Sequence, residues 1–284
     1  MEYGRPREYF IGRYIYLKER LEKTPTVTFT HRGNKTVISY YTKDKSTGKI
    51  VKRRISSSNS LWDRLSRIAN ERKTLKEQLN NLLEDWKNEH SGSLAQISGE
   101  YKIIRPQGNP FNMDLWNSMS NNQCSVEIKH PYIYNGIKMR SQFETVIASI
   151  LDDMHIEYKY DARLDLRKGT VYPDFSIPFP EYDRCGFLEY LGALSDFGYV
   201  SDNLDKIDNY ISSGLYINRD VILIPGDKYY RPDYETIKEL IGVLIGAIAR
   251  KCVVRKQMPD QDPVSTAMKN GGKVRVPPER VASS

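Results

Sequence analysis

The chain contains little cysteine and histidine and no long apolar run. Its three cysteines (Cys124, Cys185 and Cys252) are odd in number, scattered, and without metal-ligand spacing. That excludes a disulfide framework and a cysteine zinc site, and it is the usage expected of a reducing, cytoplasmic setting. The four histidines (His31, His90, His130 and His155) stand apart from one another, so no histidine metal site is predicted. The longest apolar stretch, "LIGVLIGAIA" from Leu240, is too short to span a bilayer and reads as a buried helix. The start "MEYGRPREYF" mixes acid and base with no apolar core after it, so neither a secretory signal nor a membrane partner is expected. There is no glycine-rich phosphate loop: "NGGK" near the end lacks a preceding strand.

Charge is plentiful and unevenly placed. The 284 residues hold 43 Lys and Arg against 36 Asp and Glu, a net charge of +7. Residues 1–90 carry 20 bases against 11 acids, whereas residues 131–256 carry 16 against 19. A basic front and a slightly acidic rear suggest one part that holds a polyanion and another that acts on it.

Four regions are expected. Residues 1–90 form a basic N-terminal region. It opens with a helix over Tyr9–Lys23, whose apolar positions are Phe10, Tyr14, Leu17 and Leu21. The turn clusters "RGNK" and "STG" then separate three strands of a small antiparallel sheet. Its last hairpin is basic, and Lys49, Lys52, Arg53 and Arg54 are candidate nucleic-acid contacts. Tyr40 and Tyr41 nearby are either stacking surfaces or ordinary strand tyrosines. After a cap at Asn59 or Ser60, a long helix runs to Glu89 with Leu61, Leu65, Ile68, Arg72, Leu75, Leu79, Leu82 and Trp86 spaced by fours and threes. This heptad seam packs either on the chain's own sheet or, as a coiled coil over residues 60–88, on another copy to make a homo-oligomer. Residues 91–128 read as a connector rich in Gly, Ser, Asn and Pro, residues 129–258 as a second domain, and residues 259–284 as a disordered tail.

In the second domain, a helix over Met139–Ile156 precedes the strands "EYKYDARLDL" and "VYPDFSIPF", joined by the turn "RKGT". A third strand, "RCGFLEYLG", is followed by a helix at "YVSDNLDKIDNYISSG", a strand at "RDVILIP" and a final buried helix. The order α-β-β-β-α-β implies an α/β fold with a mixed sheet flanked by helices. Asp174 and Glu189 then lie on successive strands, and Pro173 frees the ladder beside Asp174. Carboxylates brought together repel unless a cation lies between them, and hard oxygen ligands suit Mg²⁺ or Mn²⁺. Glu144, from the preceding helix, is positioned to add a third carboxylate.

Glu144 in a helix, Pro173-Asp174 and Glu189 in this element order resemble the PD-(D/E)XK nuclease superfamily over about residues 138–225. The resemblance implies a restriction-endonuclease-like fold and metal-dependent hydrolysis of DNA or RNA, with Glu144, Asp174 and Glu189 as catalytic metal ligands. The chain departs from the pattern at Leu191, where the superfamily has lysine. More narrowly, "LEYLG" is similar to members that read Glu-His-Leu-Gly. Alternation puts Leu191 on the face of Glu189 and Tyr190 on the other, so Tyr190 does not stand in for the lysine.

Lys206 is the first candidate for the missing cation, four residues before Tyr210 as in those similar proteins. Leu204, Ile207 and Ile211 mark the expected buried stripe of that helix, which sets Lys206 off its centre. Lys159, Lys138 and Gln142 are lesser candidates, and Arg167 and Lys168 lie in a turn where a phosphate backbone could be met. The leading expectation is a Mg²⁺- or Mn²⁺-dependent nuclease, an endonuclease on DNA rather than RNA. The alternatives are a nucleic-acid-binding protein that has lost activity, and an oligomeric scaffold.

Overall fold

The computed structural model describes residues 5–257, so the expected tail lies outside the described residues. Helix α1 (Arg7–Lys23) buries Phe10, Ile11 and Leu17. Strands β1 (Val27–Arg32), β2 (Lys35–Lys43) and β3 (Ile50–Ile55) form the small antiparallel sheet in that order. The tight first turn is allowed by Gly33, whose φ of 58° suits glycine.

Helix α2 (Trp62–Glu89) shows what the heptad seam does. Its first half faces the small sheet, where Ala69, Leu65 and Ile68 meet Val27 and Ile38. Its second half puts Leu75, Leu82 and Trp86 into the main core beside Phe10 and Leu17. The polar member, Arg72, donates to the carbonyls of Leu21 (2.7 Å) and Thr24 (2.8 Å), where α1 ends. The seam is thus filled by the chain's own α1 and sheet, the first of the two alternatives that the spacing left open for residues 60–88. Residue 90 is likewise no boundary of the core. Residues 5–254 form one compact unit, because a single apolar cluster joins α1 and α2 to the second half.

The expected connector has structure of its own: α3 (Leu94–Ser98), β4 (Tyr101–Ile103) and α4 (Met113–Ser118), with Trp116 buried. A short hairpin of β5 (Tyr132–Tyr134) and β6 (Ile137–Met139) leads into α5 (Gln142–Asp153). The two long strands predicted next are each broken in two. β7 (Lys159–Tyr160) stops at Asp161, which takes a left-handed φ of 52°, and β8 (Leu164–Leu166) follows. β9 (Gly169–Val171) stops before Pro173, which has no N–H to give a ladder, and β10 (Phe175–Phe179) begins after Asp174. β8 and β9 pair only with each other.

β11 (Arg184–Leu191), α6 (Phe197–Ser212), β12 (Val221–Pro225) and α7 (Tyr234–Cys252) follow, and the short strand β13 (Val253–Arg255) comes after them. The central sheet has the order β12-β11-β10-β7, with β10 antiparallel to both neighbours and β11 parallel to β12. One face, with Phe175, Ile177, Leu188 and Ile222, packs in the cluster of α1, α5 and α7. The other, with Cys185, Phe187 and Val221, packs with Trp116 of α4 and Tyr210 of α6. The architecture is mixed α/β, with seven helices among the described residues. None of these helices is long and apolar enough to cross a membrane.

Helix α1 is tied to the strand-connecting turn after β10. Arg13 pairs with buried Glu181 at 2.9 Å, and a Cβ on Gly12 would fall 2.1 Å from the Tyr182 hydroxyl. Helix α6 departs from expectation in its facing. Leu204 and Ile211 are 60% and 55% exposed, while Asn209 and Tyr210 are buried. The sheet-facing side of α6 is therefore its polar one.

Candidate active site

Each carboxylate has a local reason for its position. Glu144 is the third residue of α5 and completes a capping box. Ser141 Oγ accepts from the Glu144 N–H at 3.2 Å, and Glu144 Oε2 accepts from the Ser141 N–H at 2.7 Å. Tyr160 on β7 also donates to Glu144 Oε2, at 3.0 Å. Asp174 occupies the break before β10, where its Oδ2 accepts the Tyr190 N–H at 2.6 Å. Glu189 lies in β11 beside Leu223 of β12 and points toward α6.

Two α6 residues meet Glu189 there. Lys206 Nζ donates to Glu189 Oε2 at 2.7 Å and to the Tyr172 carbonyl at 2.8 Å. Tyr210 donates its hydroxyl to Glu189 Oε1. Lys206, the off-stripe candidate, thus reaches the carboxylate because the helix turns Tyr199, Asn203, Lys206 and Tyr210 toward the sheet end, at spacings of four, three and four. Leu191 itself is buried beside Pro225.

The strand alternation is visible at Tyr190. Its ring goes to the α5 side and stacks on Phe143 with centroids 4.4 Å apart. Gly192 and Gly226 flank it so closely that a Cβ on either would fall 2.5 or 2.7 Å from the ring. Tyr199 braces the same turn, accepting the Gly192 N–H and donating to the Tyr190 carbonyl, both at 3.1 Å. Phe143, Tyr190, Gly192 and Tyr199 join Glu144, Asp174, Glu189 and Lys206 in lining an open cavity of about 510 Å³ that also receives Arg140, Gln142 and Arg231.

The electrostatics are those of crowded anions. Burial, reinforced by Asp174, raises the Glu144 carboxyl to about 7. Burial, reinforced by Glu189, raises Asp174 to about 7, against the opposing pull of Lys206 and the Tyr190 N–H. Burial works to discharge Lys206, but Glu189 and Asp174 outweigh it and leave the ammonium strengthened. Among the described residues, no group of three His, Cys, Asp or Glu side chains is arranged to hold a metal ion. Glu189 has both oxygens engaged, whereas Asp174 Oδ1 and Glu144 Oε1 carry no hydrogen bond among the described residues. Asp174 and Glu144 line one cavity, and carboxylate oxygens are the hard ligand type of which a small divalent cation commonly takes one or two, filling its shell with water and phosphate.

The other candidates are dispersed. Lys159 is tied to the Trp116 and Met119 carbonyls and sits 4.0 Å over the Trp116 ring, a structural role. Lys138 is exposed on β6. Lys168 pairs with Asp208 in a neighbouring groove. Lys52, Arg53 and Arg54 lie on β3, with Lys52 opposite the exposed Tyr41 and Arg53 3.5 Å from Asp44. Lys49 lies just before β3, its carbonyl accepting the Asp44 N–H. Tyr40 packs with the small core of that sheet, which makes it a strand tyrosine.

Arg140, Tyr160, Asp161 and Tyr199 were not singled out by the sequence. Arg140 stands four residues before Glu144, but nothing in its neighbours marks it as tied to Asp161, 2.8 Å away. In comparisons with known proteins, the chain matches no family model, no curated protein and no solved structure.

Proposed function

We propose that this protein is a Mg²⁺- or Mn²⁺-dependent nuclease of the PD-(D/E)XK type, an endonuclease acting on DNA, with a restriction-endonuclease-like arrangement of residues 138–225. One observation carries the reading: Lys206 Nζ stands 2.7 Å from Glu189 in the cavity that holds Asp174 and Glu144. A cation from α6 thereby takes up the role left open by Leu191. The α-β-β-β-α-β order and the antiparallel-antiparallel-parallel sheet support the fold assignment.

Asp174 and Glu144 are the residues that would hold the ion. When bound, it would supply an activated water and neutralise charge growing on a phosphoryl oxygen. Lys206 has three N–H donors, of which Glu189 and Tyr172 take two. The third is left for a non-bridging phosphate oxygen, where a fixed positive charge stabilises the developing anion. Glu189 and Tyr210 hold that ammonium in place, and Ser141 and Tyr160 orient Glu144.

A second reading, nucleic-acid binding without cleavage, draws on the full engagement of Glu189 by Lys206 and Tyr210. Incubation with plasmid, linear duplex and single-stranded substrates in Mg²⁺, Mn²⁺ or EDTA separates the two. The nuclease reading expects metal-dependent cutting that Asp174→Ala abolishes. Binding with no cutting in any of these conditions supports the second reading, and undiminished cutting by Asp174→Ala removes the assigned site.

A further inference from the structure

The carboxylate cavity has a neighbour of about 530 Å³, walled by Lys168, Thr170 and Tyr172 together with the outer flank of α6. Among the described residues, only Arg140 and Lys206 line both cavities. From this geometry we propose that Arg140 and Lys206 form a cationic saddle, over which the phosphodiester backbone of a nucleic-acid strand crosses from the outer groove into the carboxylate cavity. The inference rests on reading the ligand as nucleic acid and adds its path and the residue that grips it.

Arg140 is built for this position. Its Nη2 is held by Asp161 Oδ2 at 2.8 Å, and Asp161 is 2% exposed whereas the Arg140 side chain is 34% exposed. The Arg140 N–H is fixed in turn by the Tyr160 hydroxyl at 3.0 Å. Asp161 keeps a left-handed backbone while its own N–H bonds the Asp174 carbonyl at 3.1 Å. A buried anion in a strained conformation needs a compensating purpose, and here it fixes the plane of a half-exposed guanidinium beside the site. Of five guanidinium donors, one is spent on Asp161, which leaves a fork for phosphate oxygens. On the outer groove, Asp205 and Asp208 oppose a polyanion and confine it to the side of Arg140 and Thr170. The exposed Lys168–Asp208 pair adds little stability and opens readily to a competing phosphate.

The test is binding of the full chain, in EDTA, to fluorescein-labelled single-stranded DNA and RNA of one sequence, followed by anisotropy across a KCl series. Arg140→Gln is expected to weaken binding about tenfold and to lower the salt slope by about 0.7, the single-strand share of one phosphate contact. Arg140→Lys, which keeps the charge but not the fork, is expected to keep the slope and lose affinity severalfold. It also serves where Arg140→Gln does not fold, as judged by thermal melting. Lys238→Gln, on α7 and away from both cavities, is the control for a general loss of charge. Wild-type affinity in both Arg140 variants overturns the saddle, as does failure of the wild type to bind either strand. The tighter of the two strands identifies the source of the phosphodiester. Because EDTA removes the need for cleavage, the two readings fail separately. Arg140-dependent binding without cutting would sink only the nuclease, and Asp174-dependent cutting with Arg140-independent binding only the saddle.

Discussion

Lys206 and Glu189 meet at 2.7 Å, a helix lysine and a strand glutamate seventeen positions apart in the chain. The pair is mostly buried, with the lysine side chain 23% exposed and the glutamate 4%. Removing one partner would leave the other buried without its counter-charge, which costs far more than the pair contributes. Lys206→Met should therefore lower unfolding stability by about 3–5 kcal/mol in urea at neutral pH, besides abolishing cleavage. Adding Glu189→Gln should recover most of that stability without recovering activity. A single variant as stable as wild type would mean that the pair does not form in solution.

Glu144 and Asp174 make stability depend on pH in a defined direction. Burial, with Asp174 acting on Glu144 and Glu189 acting on Asp174, raises both carboxyls from ordinary values to about 7. The folded chain thus binds protons that the unfolded chain has released. Their contribution is complete below about pH 4 and is lost as pH rises through about 7. A divalent cation replaces the proton, so Mg²⁺ or Mn²⁺ should raise the melting temperature at about pH 8 and have little effect near pH 5. A hundredfold excess over Kd corresponds to about 2.7 kcal/mol. Asp174→Asn should erase the difference between the two pH values, and a melting temperature indifferent to metal at the higher pH would remove the ion from this site.

Gly226 supports the site from outside it. A methyl group there would fall 2.7 Å from the Tyr190 ring, which is already stacked on Phe143. Gly226→Ala should push the ring and its strand, and with them the N–H that holds Asp174 at 2.6 Å. The expected result is a loss of about 1–3 kcal/mol from overpacking, with a fall in cleavage larger than the fraction unfolded accounts for. Full activity on a destabilised background would show that Asp174 does not depend on the ring.

Leu75 tests the use of the α2 seam. It is 7% exposed within the main apolar cluster. Leu75→Glu should unfold the chain or lower its melting temperature sharply, because an unpaired charge enters the core. A variant that folds normally but has half the mass by light scattering would restore the seam to a partner.

Much of this was legible in the sequence, for reasons that can be named. Glu189 was conspicuous as a charge in an apolar strand, and Asp174 by the proline before it, which in the fold ends the ladder there. Tyr190 was correctly set on the face opposite Glu189, since strand alternation has a period of two. Lys206 was underrated by the helical wheel. The wheel assumes that apolar residues point inward, and α6 exposes Leu204 and Ile211 while a polar face covers the site. Arg140 was missed because its partner Asp161 lies 21 positions away and is defined by a left-handed backbone, not by a pattern. The heptad of α2 was seen, but spacing alone does not say whose surface fills it, and Arg72 shows that the answer is the end of α1.

The contacts of α1 also bear on the order in which the protein is made. This helix is translated well before α7, yet Phe10 and Leu17 share their cluster with Ile241 and Leu244 of that later helix. Arg13 likewise waits for Glu181. The nascent chain must carry the unsatisfied apolar side of α1 until α7 is made, and contacts so distant in sequence make for slow closure. Asp174, Glu189 and Lys206 are all translated before α7, but one face of the sheet that carries Glu189 is covered only when that helix arrives, so the activity proposed here is withheld until α7 has packed.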